Sequence, residues 1–253
     1  MGSLKELLKY ILAIAIIVLI NSCVDTQDAA LDRDPTIRDA DGNIYTAIGI
    51  SNQEWLLTNL RTTHYNNGDL ILTTDDSLIA DYDSTQKYQW IYKNMGDSVK
   101  VYGRLYTWYA ATDKRGVCPV GWHVPSMTEW KTLYDPYDHN STGYYGAELM
   151  EEGLVHWKTK FINIQFTDTG MTTDTLIATN STGFTAIPAG HRDYGAFSGI
   201  GSDTRFWISD ELSLIGYALF YPLPIHGSFG ETPMSIIAPK TKGYSIRCLK
   251  DSI

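Results

Sequence analysis

Catalytic and metal-binding signatures are scarce in this chain. Its 253 residues include three cysteines and six histidines. The histidines stand at 64, 123, 139, 156, 191 and 226 and fall at no ligand spacing such as His-x-His or His-Glu-x-x-His. There is no Gly-x-Ser-x-Gly elbow, and Ser, His and Asp are too common for spacing alone to single out a triad. Gly195, Gly199 and Gly201 read as a flexible loop with no Lys-Ser or Lys-Thr after it, so they make no phosphate cradle. Asp39-x-Asp41-Gly42-Asn43 looks like the start of a calcium loop but lacks the downstream glutamate, and reads better as a hairpin turn. We therefore expect no catalytic residue, no metal and no cofactor: a protein that is not an enzyme. Basic residues are outnumbered as well, 20 Lys and Arg against 29 Asp and Glu, for a formal net charge of −9. That balance argues against nucleic acid and against anionic lipid headgroups as partners.

Long apolar runs are also absent, with one exception. Ile11–Ile20 is unbroken, about half the length a membrane-spanning helix needs. Lys5 and Lys9 precede it and Leu19-Ile20-Asn21-Ser22-Cys23 follows, the layout of a signal peptide ending in a lipobox. An ordinary secretory signal or an uncleaved anchor is the alternative. We read 1–22 as a lipoprotein signal peptide, Cys23 as the lipid attachment site, 23–36 as an acidic tether and 37–253 as one domain. Acyl chains at Cys23 would make the membrane a partner, each buried methylene contributing about 0.8 kcal/mol. Val24 at the position after the cysteine and the acidic residues beyond it point to the outer membrane, facing outward.

What the chain has in quantity is aromatic side chains, 17 Tyr, 7 Trp and 7 Phe, with 21 Gly. The densest stretch is Tyr102–Trp130. Pro119 and Pro125 fix a rigid connector around Gly121-Trp122-His123-Val124. Ser126 and Glu129 then stand at capping-box spacing before Met127, Trp130 and Tyr134, so a short amphipathic helix is expected. Tyr102, Leu105, Trp108 and Tyr109 read as core, and His123 as a hydrogen-bonding core residue. Further along, we expect strands near 43–48, 53–57, 183–188, 206–208, 217–221 and 244–249, and a second helix around Gly146–Glu152.

The runs YGRLYTW and CPVGWHVPSMTEW, with DADGNIY at 39–45, EWLLTNL at 54–60, STGFTAIPAGHRDYGAF at 181–197, RFWIS at 205–209 and GYSIRCLKD at 243–251, resemble the Fibrobacter succinogenes major paralogous domain of bacterial surface lipoproteins. The resemblance implies an α+β domain of C-type-lectin-like fold, with a mixed or antiparallel sheet, two short helices and long ordered loops. With Cys23 given to lipid, Cys118 and Cys248 remain. Their bridge would close a loop of about 130 residues and contribute roughly 4–5 kcal/mol in the chain-entropy model; two buried free thiols are the alternative.

The calcium-and-sugar triplets used by many lectins of that fold are missing. Binding is therefore expected on the C-terminal loop face, through Trp207, Asp210, Glu211, Tyr217, Tyr221, His226 and Phe229. A surface glycan or a protein is the expected ligand. A structural subunit of an adhesive or fimbrial-like assembly is the competing reading, and an oxidase of the formylglycine-generating type a third.

Overall fold

The computed structural model describes residues 36–74, 87–134, 146–158, 161–167, 170–176, 178–214, 216–223 and 236–252. The chain divides into Met1–Thr36 and Ile37–Ile253, and the elements described here belong to the second unit. The expected signal peptide, Cys23 and the tether up to residue 35 fall outside the described residues.

The domain is mostly β, with few short helices, an α+β arrangement. A hairpin of β1 (Ile37–Arg38) and β2 (Ile44–Tyr45) opens it, followed by the hairpin of β3 (Ala47–Ile50) and β4 (Gln53–Leu56). The aspartate that imitates a calcium ligand is structural. Asp39 Oδ1 accepts from the backbone N–H groups of Asp41 and Asn43, and Tyr45 donates its hydroxyl to Oδ2 at 2.6 Å. Next come β5 (Gln89–Trp90), two 3-10 turns, the helix Val99–Tyr102, β6 (Leu105–Tyr106), the helix Trp108–Ala111, β7 (Trp122–His123) and the helix Met127–Tyr134. The last begins as the capping box requires: Glu129 N–H donates to Ser126 Oγ at 3.3 Å, and Ser126 N–H donates back to Glu129 Oε2 at 2.7 Å.

The second expected helix does not form. Gly146–Met150 makes a single turn, and then the chain is drawn into a parallel bridge with Ala186, where Glu151 N–H donates to the Ala186 carbonyl. The expected strand at 183–188 is correspondingly only this bridge, with Thr185 in the left-handed region at φ 54°.

Beyond a two-stranded hairpin of β8 (Phe161–Thr167) and β9 (Gly170–Leu176), the chain builds β10 (Ala189–Asp193), β11 (Ala196–Ile200), β12 (Thr204–Glu211), β13 (Tyr217–Leu223), β14 (Ile236–Pro239) and β15 (Leu249–Lys250). A five-stranded mixed sheet runs β11-β10-β12-β13-β14, with β10 and β12 parallel. A four-stranded antiparallel sheet runs β3-β4-β15-β7, so the C-terminal strand sits inside it. The glycines expected to form a flexible loop instead belong to the β10–β11 hairpin and its exit.

Among the described residues, two large apolar clusters share the interior beside a small one of Met150 and Trp157. Tyr106, Trp108, Cys118, Trp207, Phe220, Tyr244 and Cys248 belong to one; Trp55, Trp130, Phe184, Phe206, Ile208 and Leu249 to the other. Strand β12 stands between them, because a period of two sends Phe206 and Ile208 to one side and Trp207 to the other. The segment 244–249 alternates likewise: Tyr244, Ile246 and Cys248 join the first cluster and Leu249 the second. Cys118 and Cys248 form a disulfide across a separation of 130 residues. It ties the Pro119 connector to the last strand.

Arg247 occupies the second side of that alternation and is 1% exposed. Among the described residues, no carboxylate meets it. Its guanidinium donates to Asn59 Oδ1 at 2.9 and 3.2 Å and to the carbonyls of Leu56 at 3.2, Leu57 at 2.9 and Phe184 at 2.8 Å. It also lies 4.4 Å from the Phe184 ring centroid. Burial pulls its pKa down to about 9, so it is still a cation at neutral pH. Replacing it by Met would strand four buried acceptors, so Arg247→Met should lower the unfolding free energy by about 3–5 kcal/mol. Urea denaturation measures this, and a loss under about 1 kcal/mol would contradict the assignment.

Three partly buried carboxylates contribute to the acid limb of stability. Asp113 is held well below the usual carboxylate range by Arg115 first, then by Lys87. Burial pushes Asp41 and Glu129 up, but hydrogen bonds outweigh it and both end lower than ordinary, Asp41 through Thr63 and His64, Glu129 through Ser126 and His123. A depressed folded-state pKa contributes stability that is present above the unfolded value and lost as pH falls through the folded one. The urea midpoint should therefore hold from neutrality to about pH 5 and decline steadily below it. A midpoint unchanged down to about pH 3 would contradict these pairings.

Candidate functional site

The residues expected to form one binding face are dispersed. Trp207 is a core residue: it is fully buried, donates its indole N–H to the Tyr106 carbonyl at 2.6 Å and stacks 4.4 Å from Tyr244. An enclosed side chain reaches no external ligand, so its expected role is corrected. Asp210 is engaged at the start of the helix Met127–Tyr134, where its Oδ2 accepts from Met127 N–H at 2.6 Å. That placement suits a carboxylate at a positive helix end.

Glu211 ends β12 and Tyr217 begins β13, and β14 ends beside them, since Tyr217 pairs with Pro239. Tyr221 lies further along β13 opposite Phe206. His226 and Phe229 lie outside the described residues. The strand ends that flank them, Leu223 and Ile236, belong to the other end of the sheet, where Leu223 pairs with Thr204 and Ile236 with Phe220.

One end of the five-stranded sheet thus gathers Glu211, Tyr217 and the turn Pro239–Lys242, closed by Lys242 N–H on the Pro239 carbonyl at 3.1 Å. The tip of the β10–β11 hairpin joins them. Asp193 pairs with Ala196, leaving Tyr194 and Gly195 as a two-residue loop. Their φ values, 49° and 78°, are those of a type I′ turn, in which Asn or Gly is the ordinary first residue. Here that position is a tyrosine with 72% of its surface exposed. The next strand of the turn's neighbourhood is closely fitted. Gly243 bridges Arg192, and a Cβ on it would stand 2.9 Å from the Arg192 Cβ and 3.1 Å from the Trp90 ring.

Cations and aromatic faces alternate across this end. The Lys242 ammonium sits on the ring face of Tyr194. Lys240 lies 4.0 Å from the Trp108 centroid and 5.6 Å from that of Tyr109, and pairs with Glu211 at 3.1 Å. Arg192 stacks 4.3 Å from Trp90. Beneath the hairpin, Arg205 bridges Asp193 at 2.9 Å and Asp203 at 3.2 Å and donates to the Tyr244 hydroxyl at 3.2 Å. His191 completes the network through Asp203 at 2.9 Å. Burial, then the Asp193 charge, raises the Tyr244 hydroxyl far above its ordinary pKa, so it stays neutral. Gly199 permits this packing, since its Cβ would fall 2.6 Å from Asp203 Oδ1.

Two local costs meet at the tip. Tyr194 holds a left-handed backbone, and Asp193 Oδ1 is buried with no hydrogen-bond partner among the described residues. Costs of this kind, of order 1–3 kcal/mol each, concentrate where a structure serves a ligand. An exposed ring flanked by ammonium and carboxylate groups can stack on a flat apolar face and hold polar substituents at its edge. Among the described residues, no group of three or more His, Cys, Asp or Glu is placed to hold a metal ion.

Sequence reasoning missed Tyr194 and the lysine turn. The available signal was Asp-Tyr-Gly between two extended runs, a hairpin tripeptide with an unexpected residue in the middle. His123 was expected in the core; it is half-exposed and held between Asp251 at 2.6 Å and Glu129 at 2.9 Å.

Residues 48–250 match the Fibrobacter succinogenes major domain. No curated protein and no solved structure matches the chain. The matched span runs from within β3 to the end of β15 and takes in both sheets, the disulfide and the lysine turn. The chain belongs to the Fibrobacter succinogenes major domain family.

Proposed function

We propose that this protein is a lipid-anchored binding module of the bacterial outer surface, built on a C-type-lectin-like domain, and that a glycan or protein ligand docks at the sheet end formed by Tyr194, Glu211, Tyr217 and the turn Pro239–Lys242. The observation that carries the reading is Tyr194: a large exposed ring held in a backbone conformation that a tyrosine adopts at a cost. A turn selected for stability alone would use Asn or Gly there. Anchoring is supported by Lys5, Lys9, the apolar run Ile11–Ile20 and the lipobox-like residues ending in Cys23. Export is supported by the disulfide, since such bonds persist in oxidising compartments. The same bond engages both cysteines of the domain, which disfavours the oxidase reading, whose chemistry needs free thiolates. The domain acts as a rigid mount: a preformed site spends little ordering entropy on binding.

Two substitutions test the two halves of the proposal. Tyr194→Asn suits the I′ turn, so it should keep the fold while weakening binding on glycan and surface-protein arrays by about tenfold or more. Unchanged binding would move the site elsewhere. Cys23→Ala should release the protein from the membrane fraction, and a variant that stays there would refute the lipid anchor.

A further inference from the structure

Resting on that reading of the sheet end, we infer that its ligand is another protein, whose apolar surface docks on the corner formed by Leu214, Tyr217, Leu219, Ile237 and Pro239. The corner follows from the register of the last two strands of the five-stranded sheet. Tyr217 pairs with Pro239 and Leu219 with Ile237, and residues two apart on a strand share a face. These residues therefore lie side by side on one face. The opposite face sends Ala218, Phe220 and Ala238 into the first apolar cluster. Tyr217 N–H donates to the Leu214 carbonyl at 3.2 Å, which sets Leu214 next to the corner. Because β14 is the edge strand of its sheet, the corner stands at a border.

Its chemistry selects the ligand class. Leu214 and Ile237 are each 50% exposed, while Tyr217, Leu219 and Pro239 are partly buried, and none of these side chains carries a charge. A sugar is a poor occupant for such a surface. Its ring hydroxyls need polar partners, and packing them on a leucine and an isoleucine would leave them unsatisfied. The charged groups lie at the rim: Glu211 closes β12 opposite Ala218, and its partner Lys240 follows Pro239. An uncharged apolar centre bordered by polar groups is the anatomy of a protein–protein interface.

Tyr194 extends this surface across the turn Pro239–Lys242. On the corner side of the turn, Lys240 N–H donates to the Gly216 carbonyl at 2.8 Å; on the other, the Lys242 ammonium rests on the Tyr194 ring. A tyrosine on a tight hairpin tip offers a large ring with few rotamers to lose, the kind of side chain that anchors a protein interface. The partner thus meets an aromatic knob and an aliphatic corner joined by one turn.

The test prints purified surface proteins and glycans on separate arrays and carries each hit into calorimetry. The parent protein should bind at least one other protein with a negative heat-capacity change, the mark of buried apolar surface. Leu214→Ser and Ile237→Ser alter half-exposed side chains, so each should keep the melting temperature and weaken that binding about fivefold or more. Val120→Ser, at an 84% exposed position before the first residue of β7 in the other sheet, should leave it unchanged. Protein binding that Leu214→Ser and Ile237→Ser both leave intact would overturn the inference. Binding to glycans alone, weakened by Tyr194→Asn, would overturn it while leaving the sheet end as a site. Self-association in the ultracentrifuge or flotation with phosphatidylcholine vesicles, if abolished by Ile237→Ser, would give the corner to a second copy or to a membrane and overturn it too. Silence on both arrays would overturn the inference and the binding reading together.

Discussion

A guanidinium held in the interior on neutral acceptors is the constraint on which this domain turns. Arg247 finds its acceptors in two places along the chain, at Leu56–Asn59 and at Phe184, and Asn59, whose Oδ1 it engages, donates its own Nδ2 to the Tyr102 carbonyl. Gly103 shows how close the approach is, since a Cβ there would stand 2.6 Å from that of Asn59. The neighbouring backbone continues the seam: Leu56 N–H donates to the Cys248 carbonyl, Leu60 N–H to that of Ile246 and Trp207 N–H to that of Ser245. One residue beyond Arg247 the disulfide adds a covalent tie to Cys118. The C-terminal segment therefore joins the two sheets and the two apolar clusters at once.

The sheet end proposed as a binding surface is a consequence of that seam. Tyr244 and Gly243, the residues that enter it, pair with Tyr106 and Arg192. This fixes the turn Pro239–Lys242 between the helix Trp108–Ala111 and the β10–β11 hairpin. Aromatic rings from both neighbours then lie against the lysines, while Tyr194 and the Glu211 side chain are left largely to solvent. The keel of the domain and its exposed end are thus parts of one hydrogen-bonded run, from Pro239 to Lys250. A rigid mount of this kind places charged groups at fixed separations, and that is what a selective binding surface needs.

Much of the keel was legible in the sequence because its signals are local. Ser126 and Glu129 at capping-box spacing, Phe206-Trp207-Ile208 as a strand and Asp41-Gly42 as a turn are short-range patterns, and each formed. Cys118 and Cys248 could be paired only because Cys23 was set aside for lipid. Other features depend on contacts distant in sequence. Nothing near Arg247 announces that an arginine in a Tyr-Ser-Ile-Arg-Cys-Leu alternation faces inward, since its acceptors lie 63 to 191 residues away. The helix expected at Gly146–Glu152 yielded to a bridge with Ala186 for the same reason. The residues expected to form one face are dispersed: aromatic and acidic residues close in sequence were taken to be close in space. Trp207 points into the core by the strand's period, Asp210 serves a helix from another segment, and Tyr194 comes from a hairpin outside the stretch considered.

Native-state hydrogen exchange tests the account most directly. If the C-terminal seam holds the domain together, the amides of Leu56, Leu60, Trp207, Tyr244 and Ser245, whose partners all lie on or against it, should exchange only through global unfolding, with one shared opening free energy equal to that from denaturation. The amides of the β10–β11 hairpin should open at lower free energy. A seam that exchanges more readily than that hairpin, or residue by residue at unrelated energies, would contradict the claim that the fold depends on it.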